Sequence, residues 1–356
     1  VTHRPPSTTT SAATGTPSSA AASSLTTSGP SARMVSEPLL LGVDGRKDAR
    51  VEDTLACLTT EEKVGVLSGC GMWEAGGVPR IGLPPLRMSD GPHGARGLSL
   101  SGEEGAALAP CEAALAATFN EALVEEVGSL LGQECASRGA HVLLGPCLNL
   151  QRWPLCGRHF ECFSEDPYLS GRAAVAYVQR HVAACAKHFV CNDQEDYRHT
   201  LSSVIDERTL REAYLAPFEA AVIEGGVESV MCGYNRLNGT FCTESEWLLQ
   251  HVLRDEWGFQ GFVLSDWFGN RSTVPAIRAG LNVEMPGVEP RHFGGYLLQA
   301  VRDGEVSSAL LNERCRPVLR TLLKPRDEAG GPPAAAPRQE LLRRAASEAL
   351  VLLKNE

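Results

Sequence analysis

The chain of 356 residues predicts a parallel α/β fold closed into a TIM-like (β/α) barrel, irregular or with fewer than eight regular strands. Three observations predict it. Short apolar runs alternate with stretches of helical periodicity, and that alternation implies a parallel sheet covered by helices. The runs end in polar, glycine-containing or proline-containing turns, as barrel strands do where they face the site. Neither a G-x-G-x-x-G nor a G-x-x-x-x-G-K-[ST] loop follows any run, which weakens the runner-up, an open doubly wound sheet.

The strand-like runs are Leu86–Ser89, His141–Leu144, Val182–Ala186, Ser229–Gly233, Phe262–Ser265 and Leu281–Met285. Helical periodicity fills Arg50–Leu67, with an internal cap at Thr59-Thr60-Glu61-Glu62, and then Glu121–Arg138, Glu207–Glu224 and Glu244–Glu256. An apolar fraction of 43% with 21% charged residues is that of an ordinary globular protein able to bury a sizeable core. A net charge of −10 and the lack of a basic stripe argue against a nucleic-acid partner, and no apolar run has membrane-spanning length. The expected ligand is small or neutral.

None of the 12 cysteines is paired at C-x-x-C spacing, so no zinc site or redox motif is expected, and no cofactor. Cys185, Cys191 and Cys232 fall in or beside apolar runs, where a thiol behaves as a small hydrophobe. Cys147, Cys156 and Cys162 sit in loops, where disulfides stay open.

Residues 1–37 are rich in Ser, Thr, Ala and Pro and have no acidic residue before Glu37. No packed core can form there. A linker, part of a transit peptide and a spurious extension all fit, with disorder expected in each case. Lys324-Pro-Arg-Asp-Glu-Ala-Gly-Gly-Pro-Pro opens a second break, a linker over 324–338. The core domain is expected at 38–323.

The strand ends carry the chemistry. Gly261-Phe-Val-Leu-Ser-Asp266-Trp267-Phe-Gly delivers one carboxylate at the end of an apolar run, followed at once by an aromatic residue. Asp at that position is either a nucleophile or the cap of the next helix. The other runs deliver Ser89-Asp90-Gly-Pro-His93-Gly-Ala-Arg96, then Asn149 with the loop Arg158-His-Phe-Glu161, then Lys187-His188 with Asn192, then Tyr234-Asn235. Any one of these could be structural. Together they line one rim with hydrogen-bonding groups suited to many hydroxyls, and Trp267 suits the apolar face of a pyranose ring. A carboxylate in such a rim fits retaining glycoside hydrolysis.

In motif content the chain resembles the N-terminal barrel of glycoside hydrolase family 3, in its β-glucosidase-like branch, from about residue 44 onward. The residues that carry the resemblance are SDGPHGAR, GPCLNLQRWPLCGRHFECFSEDPYLSG, KHFVCND, DERTLREAYLAPFEAAV, YNRLNG and VLSDWFG, in this order. The resemblance implies Asp266 as nucleophile. It implies glycone binding by Asp90, Arg158, Lys187 and His188, with Arg96, Tyr234 and Trp267 lining the same place. The implied substrate is a small or oligomeric β-glycoside, most simply a terminal β-D-glucoside.

The resemblance also marks departures. In this branch the general acid comes from a second domain that opens with a segment like Ala349-Leu-Val-Leu-Leu-Lys354-Asn355, so 339–356 is expected to be the start of a truncated α/β sandwich with the acid outside this sequence. A truncated, non-catalytic carbohydrate-binding paralogue is the alternative. In another branch, acting on N-acetylglucosaminides, an Asp-His dyad serves a lone barrel, and Asp196 and His199 invite that comparison without its spacing. Near Gln179-Arg180 the crossover looks short by a helical turn or two, an expectation of strain and poor folding. Asn238-Gly-Thr240 and Asn270-Arg-Ser272 match the N-glycosylation pattern. They do not decide the compartment, where a secreted or organellar location is slightly favoured over the cytoplasm.

Overall fold

The computed structural model describes residues 45–97, 106–178, 181–289, 291–325 and 334–356. The chain divides into two units, Val1–Leu40 and Leu41–Glu356, and every described residue belongs to the second. The expected disordered segment 1–37, the residues Gln179 and Arg180, and the centre of the expected linker lie outside the described residues.

The internal cap splits the first periodic stretch into α1 (Gly45–Cys57) and α2 (Thr60–Val66). Thr59 accepts from the Glu62 N–H at 3.2 Å, and the Glu62 carboxylate accepts from the Thr59 N–H at 2.9 Å. This reciprocal pair satisfies donors that a helix start leaves open. The chain continues through β1 (Glu74–Ala75), β2 (Leu86–Asp90), α3 (Glu112–Ala117), α4 (Glu121–Ser137), β3 (Val142–Leu144), α5 (Pro167–Tyr177), β4 (Ala183–Phe189) and β5 (Ser202–Ser203). A composite helix follows, in which α6 (Glu207–Thr209) passes through a π-helical turn, Leu210–Leu215, into α7 (Ala216–Ile223). After it come β6 (Ser229–Cys232), β7 (Arg236–Leu237), β8 (Thr240–Phe241), a π-helical segment Trp247–Glu256 and β9 (Phe262–Leu264). The last elements are α8 (Val274–Ala279), α9 (Gly295–Arg302), α10 (Ser308–Leu323) and α11 (Ala335–Glu348).

The main sheet has the order β1-β2-β3-β4-β6-β9. From β2 to β9 every pairing is parallel, while β1 is antiparallel to β2. Isolated bridges close the ring: Leu264 to Val283, Glu284 to Ser68, and Gly69 to Ala75 of β1. The barrel is therefore irregular. β1 was not expected, because two residues are too short to leave a period in the sequence.

Leu281–Met285, expected as a strand, is not one. Its backbone meets β9 on one side and Leu67–Gly69 on the other through a few bonds, among them Glu284 N–H to Leu67 O at 3.1 Å and Gly69 N–H to Glu284 O at 2.8 Å. Pro286, with no N–H, prevents extension of the ladder. The side chain of Glu284 does the remaining tying. Buried to 3% exposure, it accepts from Asn270 Nδ2 at 2.9 Å, His292 N–H at 2.7 Å and Phe293 N–H at 2.6 Å.

A second, small sheet of order β5-β7-β8 steadies the loop after β4. On the outside, α11 packs on α3 and α4, held by Arg338 to Glu134 at 2.8 Å, Arg344 to Glu126, and Asn120 to Glu348 at 2.9 Å. Residues 339–348 of the segment expected to begin a second domain lie within this helix. Among the described residues no helix is long and apolar enough to cross a membrane.

The described parts of the crossover between β3 and β4 lie against α4. α5 packs between α4 and α7, and its last residue, Tyr177, is buried and donates its hydroxyl to Pro92 O at 2.5 Å. Gly128 and Gly132 stand four residues apart on α4, so they share a face. A Cβ built on Gly128 would lie 2.3 Å from Tyr177 O, and one on Gly132 would lie 3.2 Å from His181 Cβ. The missing side chains let the crossover lie directly on α4.

Gly128→Ala should therefore destabilise the chain by about 2 kcal/mol or more, since the backbone of Tyr177 must move, although Ala is about 1 kcal/mol the better helix former. Gly132→Ala should cost less, because the contacted atom belongs to a side chain. Thermal melts of both variants test this, and a Gly128→Ala chain as stable as the parent would refute the close-approach account.

Candidate active site

Five of the residues singled out at the strand ends lie along one edge of the sheet. β2 ends in Asp90, β4 carries Lys187 and His188, Tyr234 follows β6, and Asp266 lies two residues past β9. In a parallel sheet these positions share the C-terminal edge.

Two linked groups of contacts result. In the first, Lys187 Nζ lies 3.3 Å from Asp90 Oδ1, and Arg96 pairs with the other oxygen of Asp90. Burial acts to raise the Asp90 carboxyl, yet the charges of Lys187 and Arg96 and the Gly91 N–H together hold it below its ordinary value. Lys187 is 3% exposed. Burial acts to strip its proton, but Asp90 and Glu161 overcome this and raise its pKa.

The second group runs Glu161–Arg158–His188–Asp266. A short 3₁₀ turn, His159–Glu161, brings Glu161 back against Arg158 at 2.5 Å, with Glu195 4.0 Å away on another side of the guanidinium. Burial opposes its charge, but Glu161 and Asp266 outweigh that and raise the Arg158 pKa. Arg158 Nη2 lies 2.9 Å from His188 Nε2. A guanidinium can only donate, so Nε2 accepts and the imidazole proton sits on Nδ1, which faces Asn149 Oδ1 at 3.0 Å. Burial first, then the charges of Arg158, Lys187 and Arg198, push the His188 pKa well down. His188 is a neutral ring. Asn149 clamps its backbone from both sides, accepting from His188 N–H at 2.9 Å and donating to His188 O at 2.9 Å.

Asp266 is 7% exposed. Oδ1 accepts the Trp267 N–H at 2.7 Å, whereas Oδ2 is buried without a hydrogen-bond partner, 3.6 Å from His188 Nε2. Because Nε2 carries no proton, the contact leaves Oδ2 free. Burial raises the Asp266 pKa, and Arg158, the Trp267 N–H, Tyr234 and Lys187 offset only part of it. The turn that presents this carboxylate places Phe268 at φ 61°, a left-handed conformation costly for an aromatic residue. Gly269 N–H to Asp266 O at 2.8 Å and Phe268 N–H to Met285 O at 3.0 Å hold it.

Tyr234 donates to Trp267 O at 2.9 Å and lies within reach of the Asp266 carboxylate. Trp267 donates Nε1 to Met72 O at 2.8 Å and leans on Trp73, with ring centroids 5.0 Å apart. Arg96 in turn lies over Trp73 at 5.8 Å.

Some of these residues were not singled out from sequence. Trp73 stands in a glycine-rich loop 194 positions before Trp267, and nothing in the chain's periodicity joins them. Arg198, whose guanidinium sits 4.5 Å from the centre of the Tyr234 ring and pairs with Glu195 at 2.6 Å, follows the Asn192-Asp-Gln-Glu loop. Its signal was a lone cation in a polar loop, too common to use. The considered pair Asp196 and His199 does not form a dyad. His199 accepts from Arg271 at 2.9 Å and packs its edge on Tyr234, while Asp196 is exposed.

Among the other cysteines of the notable loops, Cys147 and Cys162 are free and buried, with sulfurs 3.3 Å apart, and Cys156 is free and half-buried. Of the two N-glycosylation patterns, Asn270 is 3% exposed and tied to Glu284. Asn238 is exposed but bonds Ile205 through both side-chain ends.

Comparison with known proteins identifies the family. Residues 78–321 match the family model described as the glycosyl hydrolase family 3 N terminal domain. A probable beta-glucosidase J of Aspergillus fumigatus is 44% identical over 324 residues, which cover 88% of this chain and 37% of that protein. A beta-glucosidase of Rhizobium radiobacter is 45% identical over 317 residues, 86% of this chain and 39% of that protein. Beta-glucosidase 3B from Thermotoga neapolitana, solved in complex with glycerol, superposes with a TM-score of 0.81 at 39% identity, covering 86% of this chain and 48% of that one. The chain thus spans less than half the length of each of these relatives. With the family model matched over residues 78–321 and relatives 44% and 45% identical over most of the chain, the chain belongs to glycosyl hydrolase family 3.

Proposed function

We propose that this barrel is the glycone-binding, nucleophile-bearing part of a retaining β-glucosidase, with Asp266 as the nucleophile. The observation that carries the reading is the free Oδ2 of Asp266, a buried carboxylate oxygen with no hydrogen-bond partner, 3.6 Å from a neutral histidine. A nucleophile needs one oxygen held and one available. Oδ1 is held by the Trp267 N–H, and Oδ2 is available to attack the anomeric carbon through an oxocarbenium-like transition state. The new C–O bond forms at Asp266 as the glycosidic oxygen leaves with the bonding electrons. Water then attacks the same carbon, restores the carboxylate and gives up a proton.

Asp90, Lys187, Arg158 and His188 supply fixed donors and acceptors of the kind glycone hydroxyls require, with Arg96 and Tyr234 beside them, while Trp267 and Trp73 offer an apolar wall. The terminal glucose rests on the named activity of the relatives and not on any one contact.

The leaving oxygen also needs a proton, which is worth about 10²–10⁴-fold in rate. Asp90, held below its ordinary value by Lys187 and Arg96, is in the wrong state for a general acid, and Glu161 and Glu195 are engaged by Arg158 and Arg198. The acid is therefore proposed to lie outside these rim residues, in the second domain that the family resemblance implies.

A 2-deoxy-2-fluoro β-glucoside with a dinitrophenyl leaving group bypasses the acid. Peptide mass spectrometry should find the adduct on Asp266 and none in Asp266→Asn. A folded chain that gives no adduct would favour carbohydrate binding without turnover.

The rate of that labelling should fall on the acid side as Asp266 takes up a proton, with a midpoint above the ordinary value of about 3.9. Arg158→Gln removes a charge that opposes protonation, so its midpoint should move further up. An unchanged midpoint would remove Arg158 from the electrostatics of the nucleophile.

A raised folded-state pKa means that ionised Asp266 costs stability at neutral pH. Asp266→Asn should melt higher than the parent at pH 7, and the gain should shrink as the pH falls and the parent's carboxyl is protonated. A gain that persists unchanged in acid would assign it to something other than the charge.

A further inference from the structure

Two thiols touch where the supports of the rim come together. Cys147 follows β3, Cys162 follows the 3₁₀ turn of the Arg158 loop, and the two residues form an isolated parallel bridge. Their sulfurs lie 3.3 Å apart across 15 positions of sequence. Cys147 is 1% exposed and Cys162 3% exposed. The sequence leaves Cys147, Cys156 and Cys162 equivalent as bridge partners, and the structure singles out one pair.

The geometry suits a covalent bond between them. Paired neighbouring strands stand about 4.8 Å apart, within the Cα separation of about 4.4–6.8 Å that a disulfide spans. The contact between the sulfurs shows that the two side chains point at each other. Neither thiol is held by a strong partner. Cys147 Sγ lies 3.7 Å from Asn149 Oδ1 and 3.8 Å from His188 Nδ1, and Asn149 Oδ1 already faces the His188 N–H and Nδ1. Cys162 Sγ donates to Arg158 O at 3.6 Å. An S–H is a weak donor, so little is lost when its proton leaves. Contact with Cys147 and burial push the Cys162 thiol well up, so thiol exchange in the folded chain is slow and the bond forms most readily while the Arg158 loop is open.

We propose that Cys147 and Cys162 are a disulfide-forming pair, oxidised by a small disulfide such as glutathione disulfide, and that the bond ties the Arg158 loop to the end of β3. One cysteine, as its thiolate, attacks a sulfur of glutathione disulfide and expels one glutathione thiolate. The second then attacks the cysteine sulfur of the mixed disulfide and expels the other glutathione. The two cysteines lose two electrons and two protons, and two glutathione thiols gain them. Asn149, two residues past Cys147, clamps His188, and Glu161, next to Cys162, pairs with Arg158. Oxidation therefore fastens the two supports of the rim to each other. The pair does not rest on the glycosidase reading, and its test uses no sugar.

The chain is equilibrated in glutathione redox buffers in the folded state and, in a second arm, refolded from the reduced, unfolded state in the same buffers, so that burial does not limit exchange. Remaining thiols are alkylated and the chain is digested with trypsin, which places the three loop cysteines in separate peptides, 139–152, 153–158 and 159–172. Non-reducing mass spectrometry should find 139–152 joined to 159–172, lighter by two hydrogens than the free peptides and separated by reductant. The oxidised chain should melt about 4 °C or more above the reduced one. Cys162→Ser should abolish both the joined peptide and the shift, with Cys147→Ser serving if that variant does not fold, whereas Cys156→Ser should keep both. Cys147 and Cys162 alkylated in both arms, a bond from either of them to Cys156, or a lasting mixed disulfide with glutathione would each overturn the proposal.

Discussion

A carboxylate buried at the end of a strand must be either protonated or faced by positive charge, and the arrangement of the rim follows from that constraint at Asp266. Burial raises its pKa, and the charges of Arg158 and Lys187 pull it back. Lys187 is buried and Arg158 half-buried, and the anions that face them are Asp90 and Glu161. His188 is buried, stands among three cations, and stays neutral for both reasons. Its proton goes to the Asn149 side, so it offers Asp266 no hydrogen bond and leaves one carboxylate oxygen free. The charges are therefore coupled, and the state of each depends on its neighbours.

Such coupling requires that strands far apart in sequence be held in fixed register. The sheet that holds them is not a regular barrel. β1 is antiparallel, and the ring closes through single bridges instead of ladders. Where backbone pairing is thin, side chains substitute for it: buried Glu284 collects three donors across the closure. Met285 O accepts the Phe268 N–H in the turn that presents Asp266. The weakest seam of the barrel thus adjoins its most demanding residue.

The outer layer answers a different demand, the fit of short connections. α4 gives up two side chains, at Gly128 and Gly132, so that the crossover into β4 can lie against its backbone. β4 carries Lys187 and His188 to the rim in parallel pairing with β3 and β6.

The sequence by itself determined the order of five parallel strands and of helical stretches at 50–67, 121–138, 207–224 and 244–256. β2, β3, β4, β6 and β9 fall where apolar runs end in polar turns, and the capping box at Thr59 is local chemistry readable from four residues. It also indicated that Asp90, Lys187, His188, Tyr234 and Asp266 share one edge, because residues that follow parallel strands do so whatever the details of packing. The tertiary structure alone decided the rest. A two-residue β1 and the bridges at Val283 and Glu284 carry no period, so the closure of the ring could not be read. The contact of Trp73 with Trp267, the placement of Arg198 over Tyr234, the tautomer of His188 and the free oxygen of Asp266 each depend on distances between segments far apart along the chain. Periodicity reports which face of an element is apolar, and only packing sets what that face, or the loop beyond it, comes to touch.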